Sequence, residues 1–488
     1  MTEVNFVDTT LRDGHTSLWA MGMRTDWILP IAAALESAGY EAIEVGSTPS
    51  IKKMVRELGE DPWRRIRLVR EHIQHTPLRV IRGRYLAGFQ MTPQSIEELW
   101  YERLAAHGAR QIRMSDASNT AAVWRQHIRH AQRVGIDVVV NLIYSISPKH
   151  TDSYYAKKAR EAAKLDIHGI CIKDPGGLLT PERTRTLVPA ILRNAKGKRV
   201  EFHTHCNTVL GPLCCLEAIK LGVRSINAAI PPLADSSSNP SVFNVARNAR
   251  AMGYRTSLNE ELLKPVESHF RAIAVREGLP VGAPAPYDEY HYLHQVPGGM
   301  ISNLRHQLAT NQLGDKLEAV LDEIARVRAD LGYPIMVTPY AQFVGTQAVM
   351  NVVRGARYEV VCDEVILYAL GAWGHEESSS IDQNVKDRIL GAPRAKELAA
   401  WRAPEPSMQQ VRQMYGGAGV SDDDLLLRYL AGTDAVEIIR AKGPSPYQPT
   451  TAPGLTRLMT ELSKHRSIRY FRVQAGAASL TLQGGRVQ

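Results

Sequence analysis

Cysteine is scarce in this sequence, and long apolar runs are absent. Only five cysteines occur among 488 residues, their count is odd, and no two have C-x-x-C spacing. This pattern argues against a disulfide framework and against a thiolate zinc site. No run of about 18 apolar residues is present, so a membrane span is not expected. The opening residues, MTEVNF, lack the basic and apolar pattern of a signal peptide, and we therefore expect a cytoplasmic protein.

The net charge of +9 is the compositional feature that could indicate nucleic acid. The arginines are dispersed, however, and no basic run is interleaved with aromatic residues, so no nucleic-acid partner is expected. A solvated basic surface is the simpler interpretation. Attraction of anionic substrates or of an acidic partner is compatible with it.

Short apolar, β-branched segments recur through the first half of the chain, most of them separated by one helical pattern. They cover residues 4–8, 42–45, 78–82, 111–116, 138–144, 169–174, 200–206 and 225–230. Alternating strands and helices predict right-handed βαβ units and a parallel sheet. Eight units, without Gly-x-Gly-x-x-Gly after the first strand, favour a closed (β/α)₈ barrel of the TIM type over a Rossmann sheet.

Helical patterns dominate after about residue 258. We predict a barrel over residues 1–305, a mostly helical domain over 306–442 that completes an active-site funnel, and a Pro-rich linker with a short tail over 443–488. Two alternating segments at 468–473 and 479–482 predict a hairpin in that tail.

Two histidines end the seventh predicted strand, at the barrel face where active sites lie. His203 and His205 are two residues apart, so both side chains point to one face, about 6.5–7 Å apart along the strand. This spacing favours two imidazoles on one metal ion. Asp13 or Asp8, after the first strand, could add a carboxylate. Lys173, at the end of strand six, is disfavoured as a ligand while it is an ammonium group; a salt bridge or a phosphate contact is its simpler role.

Several motifs, in consistent order, resemble the carboxyltransferase domains of biotin-dependent enzymes such as pyruvate carboxylase, the oxaloacetate decarboxylase α subunit and the metal subunit of transcarboxylase. They are DTTLRDGHTSL at 8–18, EDPW at 60–63, TPL at 76–78, RG at 82–83, DASN at 116–119, SPKHTDSYY at 147–155, ICIKDPGGLL at 170–179, HTHC at 203–206, VPGG at 296–299, VTP at 337–339 and VGTQAV at 344–349. The resemblance spans roughly residues 4 to 440.

This resemblance implies a divalent metal held by Asp13, Lys173, His203 and His205, with Lys173 carbamylated. A carbamate replaces the repelling ammonium with an anion. Lys173 and Arg12 are then expected to be catalytic. Zinc, manganese or cobalt would suit two imidazoles and two oxygens.

The resemblance also implies substrate contacts. Arg12 and Arg82 match arginines that grip the substrate carboxylate, a task suited to guanidinium donors. Ser302 matches a catalytic Thr that moves a proton between the enolate and biotin. Two contacts depart from the family pattern: Thr16 stands where Gln is usual at the 2-oxoacid, and Phe89 stands where Tyr is usual at biotin. We therefore expect a different carboxyl acceptor, or a reaction that no longer uses biotin.

The implied function is that of a carboxyltransferase subunit in a multi-subunit biotin-dependent carboxylase. The sequence has no Met-Lys-Met context for biotinylation and no Gly-rich ATP-grasp region. Biotin would therefore arrive in trans on a carrier protein. The expected partners are biotin carboxylase and biotin carboxyl carrier subunits, a second copy of the chain in a homodimer, and a small-molecule acceptor. That acceptor is a 2-oxoacid, such as pyruvate or oxaloacetate, or a divergent one.

The main alternative is a biotin-independent, metal-dependent lyase, aldolase or condensing enzyme of the same barrel superfamily. Gly14 favours it, because the carboxyltransferases usually have Ala there. Lys173 opposes it, because those enzymes use no metal-bound lysine at this position. A non-catalytic scaffold is the third and weakest alternative.

Overall fold

The strands of the barrel are short runs of apolar and β-branched residues, as the sequence predicts. A computed structural model describes residues 2–86, 90–443, 470–475 and 478–483. The strands are β1 Glu3–Asp8, β2 Ala42–Ser47, β3 Leu78–Gly83, β4 Gln111–Ser115, β5 Asp137–Ile143, β6 Gly169–Asp174, β7 Arg199–Thr204 and β8 Ser225–Ala228. Each pairs in parallel with the next, and β1 pairs with both β2 and β8. The sheet therefore closes, which confirms the predicted (β/α)₈ barrel.

Helices surround this barrel, and some of those that follow a strand start at a side-chain cap. Through residue 277 they are α1 His15–Leu18, α2 Thr25–Ser37, α3 Thr48–Lys53, α4 Pro62–His72, α5 Gln94–Ala106, α6 Ala121–Arg133, α7 Asp152–Ala163, α8 Pro181–Leu192, α9 Gly211–Lys220, α10 Val242–Ala251 and α11 Glu260–Glu277. Thr151 and Thr180 accept hydrogen bonds from backbone N–H groups of the first turns of α7 and α8. Such caps satisfy donors that the helix leaves unpaired. A two-residue strand, β9 Arg255–Thr256, adds to β1.

The remaining chain up to residue 443 is helical, as predicted. Its helices are α12 His291–His294, α13 Gly298–Thr310, α14 Leu317–Asp330, α15 Tyr340–Arg354, α16 Asp363–Ala369, α17 His375–Ser378, α18 Gln383–Gly391, α19 Pro393–Ala400, α20 Met408–Met414, α21 Asp422–Ala431 and α22 Thr433–Lys442. No helix in the described ranges is both long and apolar enough to cross a membrane.

Two apolar cores divide this helical region. One is built from α13 to α19, with Val320, Phe343 and Ile366 among its buried residues. The last three helices instead contribute to the core of the barrel, through residues such as Leu426 and Val436. The segment that the sequence assigns to one helical domain, 306–442, is therefore split. Its end returns to pack against the barrel.

The barrel interior carries charged side chains that pair across the lumen. The guanidinium of Arg79 donates to both carboxylate oxygens of Glu201, each at 2.8 Å. Arg113 in turn donates to Glu44 at 3.1 Å. All four side chains are buried. Buried charges are tolerated only when they are paired in this way, and the paired layer forms the floor beneath the catalytic end of the strands.

The tail forms a separate compact unit, Ser445–Gln488. Within it, β10 Tyr470–Ala475 pairs antiparallel with β11 Ala478–Gln483. The predicted hairpin is therefore present. The Pro-rich linker before it lies outside the described residues.

Candidate metal centre

Asp13, His203 and His205 place one oxygen and two nitrogens at a common point at the end of the barrel. Oδ2 of Asp13 lies 3.1 Å from Nε2 of His203 and 3.8 Å from Nε2 of His205, and the two nitrogens are 3.2 Å apart. Ligand atoms bonded to one ion at about 2.0–2.2 Å stand roughly 3–3.6 Å from each other. Within the described residues, this is the only such cluster of His, Cys, Asp and Glu side chains.

Hydrogen bonds of the opposite ring nitrogens direct both Nε2 atoms toward this point. Nδ1 of His205 lies 2.7 Å from the Ser237 carbonyl, an acceptor, so it carries the proton. Nδ1 of His203 lies 3.0 Å from Oδ1 of Asn227, whose amide is oriented by donating to Glu201. The protonated Nδ1 of His205 leaves the lone pair of its Nε2 facing Asp13, whose buried Oδ2 has no hydrogen-bond partner among the described residues. These three donors fit a divalent cation.

The charge states of the three side chains also suit a cation. Burial and the neighbouring Arg113 hold the pKa of His203 well below its ordinary value, and burial also lowers the pKa of His205. Burial alone would raise the pKa of Asp13, but Arg12 and the imidazoles hold it well below its ordinary value. Two neutral imidazoles and one carboxylate are the forms that bind metal.

Lys173 stands beside this cluster with no counter-ion among the described residues. In the pairing of β6 and β7 it is the register partner of His203, so the two side chains leave their strands on the same face. The side chain is buried, and no hydrogen bond or ion pair links it to any described residue. Burial, reinforced by Arg12 and Arg113, lowers the pKa of its amine to about 7. Much of this amine is therefore unprotonated near neutral pH, the form that can react with CO₂.

Arg12 is held at the edge of the cluster by two carboxylates. It contacts Oδ1 of Asp13, and its Nη2 lies 2.9 Å from Glu44. Its backbone belongs to a π-helical turn, Thr10–Gly14, that directly follows β1. Such turns are frequent at functional sites, because they re-aim side chains. Here the turn brings the guanidinium of Arg12 and the carboxylate of Asp13 to the same mouth.

Arg82 lies elsewhere. Its guanidinium contacts Glu97, donates to the Gly83 carbonyl at 2.7 Å and lies 5.1 Å from the ring centre of Trp100. These partners lie between β3 and α5, on the helix side of the strand. The structure therefore does not bring Arg82 to the metal cluster. Arg113, which lies 3.8 Å from Oδ2 of Asp13, is the second guanidinium there.

Of the other three predicted substrate contacts, only Thr16 has its side chain within the described part of the structure. Thr16 lies in α1, and its hydroxyl donates to the Arg12 carbonyl at 2.6 Å, so it braces the turn that carries Arg12. Phe89 lies outside the described residues. Ser302 belongs to α13, but its side chain is also outside the described part of the chain.

Sequence reasoning missed several residues around the cluster: Glu44, Arg113, Asn227, Ser237 and Asn239. Charged residues at inward positions of otherwise apolar strands were the available signal for the first two. Asn239 donates to the Thr204 carbonyl at 2.8 Å, and its own buried Oδ1 has no hydrogen-bond partner among the described residues. Nothing in its sequence context marks it, because it lies on a loop.

Known proteins resemble this chain along almost its whole length. The HMGL-like family matches residues 3–269, and the family described as conserved carboxylase domain matches residues 292–468. A pyruvate carboxylase subunit of Methanocaldococcus jannaschii is 34% identical over 445 residues, covering 90% of this chain and 78% of that protein. The chain belongs to the carboxyltransferase family of biotin-dependent carboxylases.

Two further relatives show the spread of this carboxyltransferase family. The 2-oxoglutarate carboxylase large subunit of Hydrogenobacter thermophilus is 28% identical, over 90% of this chain and 69% of that protein. The carboxyl transferase domain of Rhizobium etli pyruvate carboxylase, solved with pyruvate, superposes with a TM-score of 0.82 at 23% identity, over 99% of this chain and 83% of that domain. This structural likeness confirms the barrel fold.

Local packing accounts for a glycine at position 14 without the lyase hypothesis. A Cβ atom at this position would lie 2.9 Å from the Leu233 carbonyl oxygen and 3.0 Å from the Leu233 Cβ. Both distances are shorter than ordinary van der Waals contact. The glycine is therefore required by the close approach of a neighbouring loop, and it is no evidence for lyase chemistry.

Proposed function

We propose that this carboxyltransferase moves a carboxyl group between biotin on a separate carrier protein and a 2-oxoacid acceptor, at a divalent ion held by Asp13, His203, His205 and carbamylated Lys173. The observation that carries the proposal is the buried Lys173 amine, which stands in register with His203 and has no counter-ion within the described ranges. Zinc, manganese or cobalt would suit this donor set.

Carbamylation resolves the electrostatic problem that Lys173 poses. The neutral amine adds CO₂ and releases one proton, which converts a potential cation into an anion beside His203. A bound ion would polarise the carbonyl of the acceptor and stabilise the enolate charge as it develops. Without the carbamate, this position would offer the ion a neutral or positive amine.

The chain's own residues supply the remaining chemistry. Arg12, fixed between Asp13 and Glu44, keeps a positive charge at the mouth of the site, where it can attract the acceptor's carboxylate. Ser302 supplies a hydroxyl from α13, which would move a proton between the acceptor carbon and N1 of biotin. Thr16 would act through Arg12, because its hydroxyl donates to the Arg12 carbonyl and braces the turn.

The acceptor class follows from chemistry that the relatives' names share. Pyruvate and 2-oxoglutarate are both 2-oxoacids with an enolisable C3, and relatives named for each match this chain over about 90% of its length. We propose a 2-oxoacid acceptor. The complete enzyme would be a cytoplasmic assembly with biotin carboxylase and carrier subunits around a homodimer of this chain.

The test is carboxyl transfer by the purified chain with a biotinylated carrier. Oxaloacetate serves as donor in one arm, and carboxylated carrier with pyruvate or 2-oxoglutarate serves in the other. We expect metal-dependent transfer with at least one 2-oxoacid, and none in the Asp13→Asn variant. A metal-loaded protein that transfers to no acceptor, yet cleaves acyl-CoA substrates, would favour the lyase alternative.

A further inference from the structure

Helix α6 carries a row of arginines on its outer surface, and no acidic residue lies on the same helix. Arg125, Arg129 and Arg133 are exposed and follow each other at four-residue intervals. In an α-helix this spacing places them on one stripe, about 6 Å apart along the axis. The chain from residue 117 to 136 contains no aspartate or glutamate.

Few acidic groups neutralise this row. Arg133 lies 3.1 Å from Glu98 of α5. Within the described residues, neither Arg125 nor Arg129 has an ion-pair partner. Like charges four residues apart on a helix repel each other and destabilise it. The arginine row therefore destabilises α6, so helix stability is not the reason for its presence.

The inner face of the helix accounts for its packing without the arginines. Trp124, Ile128 and Ala131 are buried against the barrel. His127 is also buried, and burial together with Arg82 holds its pKa well below its ordinary value, so it is neutral. The positive charge of α6 therefore lies entirely on its outer surface.

The neighbouring helix extends this charge. Lys157, Arg160 and Lys164 are exposed on or just after α7. A hydrogen bond of 2.7 Å between Gln132 and Asp166 ties the ends of the two helices together. These three residues and the three arginines of α6 define a basic face. Within it Lys157 lies 4.0 Å from Glu161, and Glu98 and Asp166 lie beside it.

The same arrangement is absent from α11, which is also exposed and rich in cations. There Lys264 lies 2.6 Å from Glu261, Arg271 lies 2.6 Å from Glu267, and Arg276 lies 2.8 Å from Glu277. Each cation of α11 thus has an acidic neighbour on its own helix. A row of cations with no acidic residue on its own helix is therefore a feature of α6.

We propose that the basic face docks an acidic protein surface, that of the carrier that brings biotin to this chain. This rests on the proposed function, in which biotin arrives in trans. Helix α6 begins immediately after Asn119 and Thr120, at the catalytic end of the barrel, so a partner lying along it reaches the mouth of the site. The acidic margins on both sides, and the lack of exposed aromatic residues on α6, favour a protein over nucleic acid.

The test compares two triple variants with the same change in net charge. R125Q/R129Q/R133Q removes the arginine row, and K264Q/R271Q/R276Q removes the same charge from α11. Glutamine is a good helix former, so both helices should persist. Association with the biotinylated carrier is followed by stopped-flow fluorescence between low and physiological salt, with duplex DNA as a second probe.

We expect the α6 variant to slow association by on the order of tenfold and to flatten its salt dependence, while the α11 variant behaves as the wild type. Carrier binding that is unchanged in the α6 variant, or weakened equally in both variants, overturns the proposal. Loss of DNA binding alone in the α6 variant also overturns it, in favour of nucleic acid.

Carboxyl transfer from oxaloacetate to free biotin, which requires no docking, separates this inference from the proposed function. The α6 variant should keep that activity in full. If the wild type shows no transfer to free biotin, the proposed function is contradicted, while the carrier-binding measurement still tests the docking surface. A wild type with it, but with no dependence on the arginine row, contradicts the docking surface alone.

Discussion

Lys173 and His203 are register partners on adjacent parallel strands, so their side chains enter the top of the barrel at the same level. Lys173 is a buried amine with no ion-pair partner among the described residues. His203 is an imidazole oriented by Asn227, with its Nε2 directed at Asp13. This relationship links the carbamate hypothesis to the metal centre. It also sets the first of four tests.

Replacing Lys173 with alanine should remove one anionic ligand. We expect weaker metal retention and carboxyl transfer reduced by at least about 10²-fold, since charge stabilisation in such sites is worth several kcal/mol. Metal content by mass spectrometry and a ¹³C-bicarbonate-labelled carbamate resonance measure the two effects. Lys220→Ala, an exposed change on α9, is the control. A variant that keeps both metal and labelled carbamate would refute the role of Lys173.

Arg113 should position His203 without touching the acceptor. Its Nη1 lies 3.0 Å from Nδ1 of His203 and contacts Asn227, while its Nη2 donates to Glu44. Arg113→Lys keeps the charge but cannot contact His203 and Glu44 at the same time through two guanidinium nitrogens. We expect metal affinity to fall by about 10–100-fold. Competition with a chelator measures this directly. Arg79→Lys, in the layer below, should lower the unfolding temperature with a smaller change in metal affinity.

Asp8 gives the stability a dependence on pH. Burial raises the pKa of this carboxyl to about 7 in the folded chain, whereas an unfolded aspartate titrates near 4. The folded state therefore binds the proton more tightly. The stability of the wild type relative to Asp8→Asn should be greatest below about pH 4 and should decline as the pH rises to 7, at about 1.4 kcal/mol per pKa unit.

Denaturant unfolding of both proteins between pH 4 and 8 tests this expectation. Asp137→Asn, at an exposed position at the start of β5, should show no such trend. A constant difference between the wild type and Asp8→Asn would contradict the shifted pKa. Asp8→Asn should also keep its metal, because Asp13 and not Asp8 joins the histidines.

Gly14→Ala should destabilise the chain by about 1–3 kcal/mol, because its Cβ would press on the Leu233 carbonyl. The matched change is Gly46→Ala, whose Cβ would meet nothing within 4 Å. Thermal unfolding compares the two variants. Equal stability would mean that the loop at Leu233 moves aside freely, and the packing explanation of Gly14 would fail.

The sequence was sufficient for the barrel and for bringing His203 and His205 to one face, because both depend on local periodicity. Strand seven shows this: the i, i+2 spacing of His203 and His205 already fixes a common face. Periodicity alone left Asp8 and Asp13 open, and the family resemblance favoured Asp13; the structure places Asp13, on the π-helical turn after β1, beside the histidines.

Arg82 shows what periodicity leaves open. Its motif placed it at the end of a strand, but the side on which its guanidinium lies depends on partners further along the chain, Glu97 and Trp100. Arg113 belongs to no motif that the sequence analysis recognised, yet its guanidinium points into the barrel and lies near Asp13. Such outcomes depend on the pairing of charges across the lumen, which no single segment of sequence encodes.

The return of α20 to α22 to the barrel has a consequence for synthesis on the ribosome. Leu426 and Val436 complete apolar packing that begins with the first strands. The layer of helices packed around the barrel is thus incomplete until the chain has been synthesised through residue 442. A nascent chain halted before α20 would expose apolar surface to chaperones, and a chain truncated after residue 400 should be recovered as aggregate and not as an isolated barrel.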